Sequence, residues 1–365
     1  MTPPVLFAKS HSMKKGWVLI SALATASITF TVPSAFADQW NSRNDPGIMD
    51  PHFVYQLSRL PTEGKLDVIP WSETYWPSKQ GSINVRWNQP HPEGFKYTSP
   101  SRAEVMTMSR DELSRLSPSE KYDIFMGRYD YPLKKEVSGI ATPSARWWAG
   151  ICDGWSMAAI QYAEPMAVDA TNPDGVVVPF AASDVKGLMS YSAAMHFQVE
   201  TRQVGSKCNG MGRVFGSAQC GDINPGALHV ILANEIGIKK QGFVTERDPG
   251  NQIWNQPTYG FKFQMMGSAK PEDGAYGVRV QATLYFADEL DKPEWLPVVG
   301  TDKFKEGKIE MDYILDLDAA GNIIGGEWVG HSDHPDFVWL PVNHIVFAGN
   351  LDGINRLYKP NRVTP

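Results

Sequence analysis

Cysteine is scarce in this 365-residue chain: there are three, and no two of them form a C-x-x-C pair. Paired zinc-finger or thioredoxin-type redox motifs are therefore missing. No glycine-rich phosphate loop leads into a helix and no H-E-x-x-H is present, so neither nucleotide nor zinc chemistry is expected. Charge is sparse too, with 20% of residues charged and a net charge of −6. Nucleic-acid partners need clustered Lys and Arg facing phosphates, and none is expected here. Beyond the first 37 residues no run is apolar enough to span a membrane.

What the chain does have is aromatic bulk and an export signal. Twelve Trp, 13 Tyr and 27 Pro describe a folded chain with a sizeable core. Met13, Lys14 and Lys15 open a basic segment, an apolar run follows over 17–30, and Ala35, Phe36 and Ala37 form an A-x-A cleavage signature. The pattern predicts upstream residues plus a signal peptide over 1–37, cleavage after Ala37, and a secreted or periplasmic product. Such a compartment permits disulfides. Cys208 and Cys220 lie twelve positions apart in a Gly/Ser/Asn-rich stretch, a spacing that a short disulfide loop can close. Cys152 is then left over, and an odd cysteine in an exported protein is paired between chains, idle or reactive.

Three regions follow the signal. Residues 38–140 are rich in Pro and Trp and are expected to pack on the core, with a helix after the Ser117-Pro118 cap. Residues 141–350 read as the catalytic core and 351–365 as a tail. Gly150 precedes a helix that begins near Cys152 and stops before Pro165, with Trp155, Ala158 and Ala159 on one face. Residues 183–192 give a second helix. The apolar run 227–233, containing His229, reads as a buried strand, and 242–248 as the next strand. Residues 277–286 alternate at period two, and a hairpin joins 311–315 to 323–328 across Asp318, Gly321 and Asn322. Helix first and antiparallel sheet afterwards is an α+β arrangement, with a nucleophile helix packed on the sheet.

A thiol at a helix start faces backbone N–H groups and the positive end of the dipole, which favours thiolate. An imidazole can take its proton, and a carboxylate or amide behind the ring can orient it. The sequence offers Cys152, then His229, then Asp248 at the end of the second predicted strand. His196, His331, His334 and His344 compete for the base, and Asn251 or Asn255 for the orienting group.

Trp148, Ala149, Gly150, Ile151, Cys152, Asp153, Gly154 and Trp155 resemble the nucleophile segment of the transglutaminase elicitor family, within the transglutaminase/papain-like superfamily. Trp254, Asn255, Gln256 and Pro257, followed by Gly260, Phe261 and Lys262, are similar to the peptide by which plants recognise oomycete members of that family. The chain departs from that peptide at Thr258 and Tyr259. The resemblance runs from about Asp67 to Trp339. It implies a papain/transglutaminase-like core, Cys152 as nucleophile, His229 as base and Asp248 as its partner. It also implies calcium dependence and protein substrates bearing Gln and Lys or other primary amines. The expected activity is a secreted protein-glutamine gamma-glutamyltransferase working through a Cys thioester, with Trp148, Trp155 and Trp254 along a substrate channel. Alternatives are a cysteine peptidase or glutamine deamidase of the same superfamily, and a non-catalytic surface recognition protein. The carboxylates around Asp318 lack an EF-hand's closing Glu and suit a hairpin turn better. Trp87 to Tyr97 echoes the second motif with seven shared identities, and the first copy is expected to mimic or cover the second.

Overall fold

The computed structural model describes residues 41–87, 97–207, 222–247, 252–269, 276–330 and 333–361, all within one unit spanning Phe36–Pro365. A short strand, β1 (Glu63–Lys65), comes first. Three small helices follow: α1 (Arg102–Val105), α2 (Arg110–Ser114) and α3 (Pro118–Phe125). Each starts at a capping box, Ser101 with Glu104, Ser109 with Glu112 and Ser117 with Glu120. Each Ser side chain accepts from the third helical N–H while the Glu reaches back to the cap N–H, so both orphan donors are satisfied. α4 (Pro132–Ile140), α5 (Cys152–Gln161), the hairpin β2 (Val168–Thr171) with β3 (Val177–Phe180), and α6 (Ala182–Met195) complete the helical half.

The second half is a sheet. Its strands are β4 (Thr201–Gly205), β5 (Phe243–Glu246), β6 (Asn255–Ala269), β7 (Tyr276–Ala287), β8 (Glu306–Leu317), β9 (Ile323–Trp328) and β10 (Phe337–Pro341). They are ordered β4-β10-β5-β6-β7-β8-β9, with β1 added on β6, and every pairing is antiparallel. A last short helix spans Ile354–Leu357. The architecture is α+β, as the order of elements predicts.

Two apolar cores result. One gathers Trp71, Tyr122, Trp155, Phe180, Leu188 and Trp339 around α5 and α6. The other gathers Phe243, Phe261, Leu284, Tyr313, Ile231 and Leu228 about the sheet. The segment from Trp71 to Trp76 is fastened across the first. Trp71 Nε1 donates to Tyr162 O at 3.1 Å, and Trp155 Nε1 donates to Trp71 O at 3.0 Å. Lys186 Nζ donates to Ser72 O at 2.9 Å and pairs with buried Glu164 at 2.6 Å.

The predicted strand over 227–233 is corrected: Pro225–Ile231 is a helix, here α7, continued by a π-helical segment, Leu232–Ile238. Asn224 caps it, its Oδ1 accepting from Gly226 N and Ala227 N, and Pro225 stands at the first turn. Every residue of α7 is buried, so the run shows no polar face, and a short apolar run carries no period to separate helix from strand. The Asn-Pro pair ahead of it was the available signal. Trp87 and Tyr97, which bracket the motif echo, pack elsewhere than on Trp254. Trp87 donates to Asp184 at 2.8 Å and stands against Trp295; Tyr97 bonds Asn84 and Ser117. The residues between them lie outside the described set.

Candidate active site

Two glycines fix where the Cys152 helix begins and how closely it packs. A Cβ on Gly150 would sit 2.2 Å from the carbonyl oxygen of Tyr75, and one on Gly154 would sit 2.1 Å from that of Ser190. Ile151 N donates to Tyr75 O at 2.9 Å. The chain therefore passes tightly under the Trp71–Trp76 segment, and α5 presses onto α6. The other side of α5 meets the sheet, where Ser156 Oγ donates to the Asn255 carbonyl at 2.7 Å.

This docking brings the start of β6 over the thiol. Asn255 Nδ2 donates to Cys152 Sγ at 3.9 Å, and Ile253 O lies 3.9 Å from the same sulfur. Trp339 Nε1 donates to Asn255 Oδ1 at 2.8 Å, which sets the amide so that its nitrogen faces the sulfur. Cys152 is only 6% exposed. Burial pushes its thiol up to about 12, Asp153 adds to the rise, and the Asn255 donors oppose it. Desolvation of the charged form is the largest cause of the rise.

Beside this pair opens a cavity of about 870 Å³, with Tyr75, Trp147 and Trp254 as aromatic walls and Arg247 and Glu289 among its charged lining. Trp254 meets the Tyr75 ring edge-on at 5.0 Å and the Trp147 ring at 5.8 Å. Trp254 lies in the chain between Ile253 and Asn255, both of which reach the sulfur. Glu289 Oε1 accepts from Gln256 Nε2 at 2.6 Å. Burial and the neighbouring Asp288 raise its carboxyl well above the usual range. Neither Asn255 as a direct thiol partner nor Glu289 was expected. In the sequence Asn255 stands only as a candidate orienting group, and no motif marks Glu289.

The structure does not bring His229 to Cys152. On α7 its Nδ1 shares a 2.9 Å hydrogen bond with Tyr313 Oη, and its ring stacks on Phe263 at 3.9 Å. Nε2 is buried with no partner among the described residues, and burial lowers the ring to about 3. Asp248, Asn251, His331, Cys208 and Cys220 lie outside the described residues. His196 Nε2 lies 2.6 Å from Glu136, His344 packs on Tyr162, and His334 stacks on Trp328. Of the expected channel residues, Trp254 lines the cavity. Trp155 is a core residue with no exposure, and Trp148 lies beside Arg146.

The transglutaminase elicitor family matches residues 49–122 and 132–348. The chain belongs to the transglutaminase elicitor family. It is similar to the GP42 transglutaminase from Phytophthora sojae, with 25% identity over 87% of this chain and 97% of that one, and a TM-score of 0.65. No curated protein matches it. The transglutaminase-like fold thus sets α5 against an antiparallel sheet.

Within that fold the family's peptide motif is mostly internal. Residues 255–261 are buried on β6 between its neighbouring strands, and Lys262 is exposed. The Asp318 turn does not suit calcium. Its carboxylate accepts from Ala320 N, Asn322 N and Asn322 Nδ2, all at 2.8–2.9 Å, and Gly321 takes φ +78°. Its oxygens serve the turn, as Gly and Asx chemistry predicts. Among the described residues no His/Cys/Asp/Glu group of three is arranged to hold a metal ion. No described helix is long and apolar enough to cross a membrane.

Proposed function

We propose that this family member is a secreted transglutaminase whose nucleophile is Cys152. The observation that carries the reading is the thiol at the start of α5 with an oriented amide donor, Asn255, 3.9 Å from its sulfur. In the proposed reaction the sulfur attacks a glutamine carboxamide and the C–N bond breaks. Ammonia leaves with the thiol proton, and the thioester passes its acyl group to a lysine amine. Asn255 Nδ2 and the N–H groups at the start of α5 donate to the oxyanion, a role in which one donor is worth about 10²–10³ in rate. His229 has no part as base in this proposal, because its ring is bonded to Tyr313 and stacked on Phe263.

The GP42 similarity supports amine rather than water as acceptor. Water in its place gives the deamidase or peptidase outcome. One observation favours the non-catalytic reading: a buried thiol held far above its usual pKa is a poor nucleophile at rest. Purified chain and its Cys152→Ala variant decide among these. Incorporation of a fluorescent amine into a glutamine-rich protein, lost in the variant, supports acyl transfer. Ammonia or cleaved substrate without incorporation supports hydrolysis, and an inactive folded protein supports recognition alone. A chelator lane tests the calcium that the resemblance implies. Export predicts a mature N-terminus at Asp38. A Cys208–Cys220 bridge predicts that only Cys152 is alkylated before reduction.

A further inference from the structure

We infer that Lys186 and Glu164 condense to an isopeptide bond inside the folded chain, with Glu73 relaying the proton. The three side chains come from α6, from the stretch after α5 and from the Trp71–Trp76 segment, and all are buried. Lys186 Nζ stands 2.6 Å from Glu164 Oε1 and 3.7 Å from Glu73 Oε2. Ser72 O accepts from the same nitrogen at 2.9 Å, and the Trp71 ring lies 5.5 Å from it. Glu164 accepts from Val298 N on one oxygen at 2.7 Å and from Val299 N on the other at 2.8 Å. Two aimed N–H donors polarise that carboxyl and suit the oxyanion formed by attack at its carbon. Ser183 Oγ donates to Glu73 at 2.6 Å, and burial pushes the Glu73 carboxyl up to about 7, so it can carry a proton at neutrality.

An amine and a carboxyl held in this way react as though each were present at about 10⁵ M or more. Condensation also removes two charges from a dry interior, where an ion pair carries a heavy desolvation cost. A second buried pair, Lys121 with Asp184 at 2.7 Å, differs in its surroundings. The other carboxylate acting on it, Glu120, is committed to Arg86 at 2.7 Å. The step at Lys186 balances. The ammonium gives one proton to the Glu164 carboxylate, and the resulting amine attacks the carboxyl carbon. The C–N bond forms, Glu73 gives its proton to the hydroxyl and takes one from the nitrogen, the C–O bond breaks and water leaves. The bond ties α6 to the stretch that follows the Cys152 helix.

Mass spectrometry of the folded full chain, denatured and digested with trypsin, tests this. Lys186 is the one tryptic site between Arg146 and Arg202, and an acylated lysine is not cut. Residues 147–202 should therefore emerge as one peptide, lighter than its sequence by one water. Glu73→Gln keeps the pair but removes the relay, and should lower the bonded fraction at least tenfold. Lys186→Met should return the 147–202 peptide at full mass. Separate 147–186 and 187–202 peptides at full mass from the parent would overturn the bond, as would a water loss that fragmentation places elsewhere. An equal bonded fraction in Glu73→Gln would overturn the relay. Should Lys186→Met fail to fold, the parent peptide and Glu73→Gln still decide.

Discussion

Asn255 is held from both ends, its oxygen taken by the Trp339 indole at 2.8 Å and its nitrogen turned to the Cys152 sulfur. Removing the side chain takes away an oxyanion donor and leaves the indole N–H without its acceptor. Asn255→Ala should therefore lower amine incorporation about 10²–10³-fold, read as kcat/KM; a loss under threefold would remove Asn255 from the oxyanion role. The thiol gives a separate readout. With its pKa pushed up to about 12, Cys152 stays protonated through neutrality, so its alkylation rate should climb steadily up to pH 10. A plateau below pH 8 would contradict the buried thiol. Cys152 and its helix start were legible in the Gly150-to-Gly154 setting, because local backbone demands write themselves locally. The Asn255 contact was not legible as such: it is made across 103 positions by the docking of α5 on β6, which no local pattern records.

At the level of elements, the close approach of α5 to α6 depends on Gly154, where a Cβ would meet the Ser190 carbonyl at 2.1 Å. Backbone on both sides leaves little to give, so Gly154→Ala should destabilise the chain by about 1–3 kcal/mol or more. Urea unfolding measures this, and an unchanged midpoint would mean that the two helices have room to spare. Local start signals also explain why the sequence marks α3 as a helix and does not mark α7. Ser117, Pro118 and Glu120 form a complete start signal at a helix boundary, whereas 227–233 is apolar throughout and offers no face. Its start signal is Asn224 with Pro225, and Asn224→Ala should cost about 1 kcal/mol. No effect would show that the cap bonds to Gly226 and Ala227 contribute nothing net.

The whole molecule divides its work between two cores: one holds α5 with its thiol, the other holds α7 with His229. Burial of that imidazole gives an acid dependence with a definite sign. An unfolded chain protonates the ring below about 6.5, but the folded chain does so only near 3. Its contribution is complete above pH 6.5 and is lost as pH falls toward 3, at about 1.4 kcal/mol per pH unit. Stability curves of the parent and His229→Gln should converge over that window as pH falls; parallel curves would refute it. The α+β class and the family were legible because long alternating strands and a dense motif repeat their signal over many residues; the sheet order, in which β10 (Phe337–Pro341) enters between β4 and β5, was not. The cavity was not, since Tyr75, Trp147, Trp254 and Glu289 come from four separate segments. The most direct test of the account is amine incorporation by the purified chain beside Cys152→Ala. Acyl transfer through Cys152 predicts incorporation in the parent and none in the variant. Equal incorporation in both, or none in a folded parent, would contradict it.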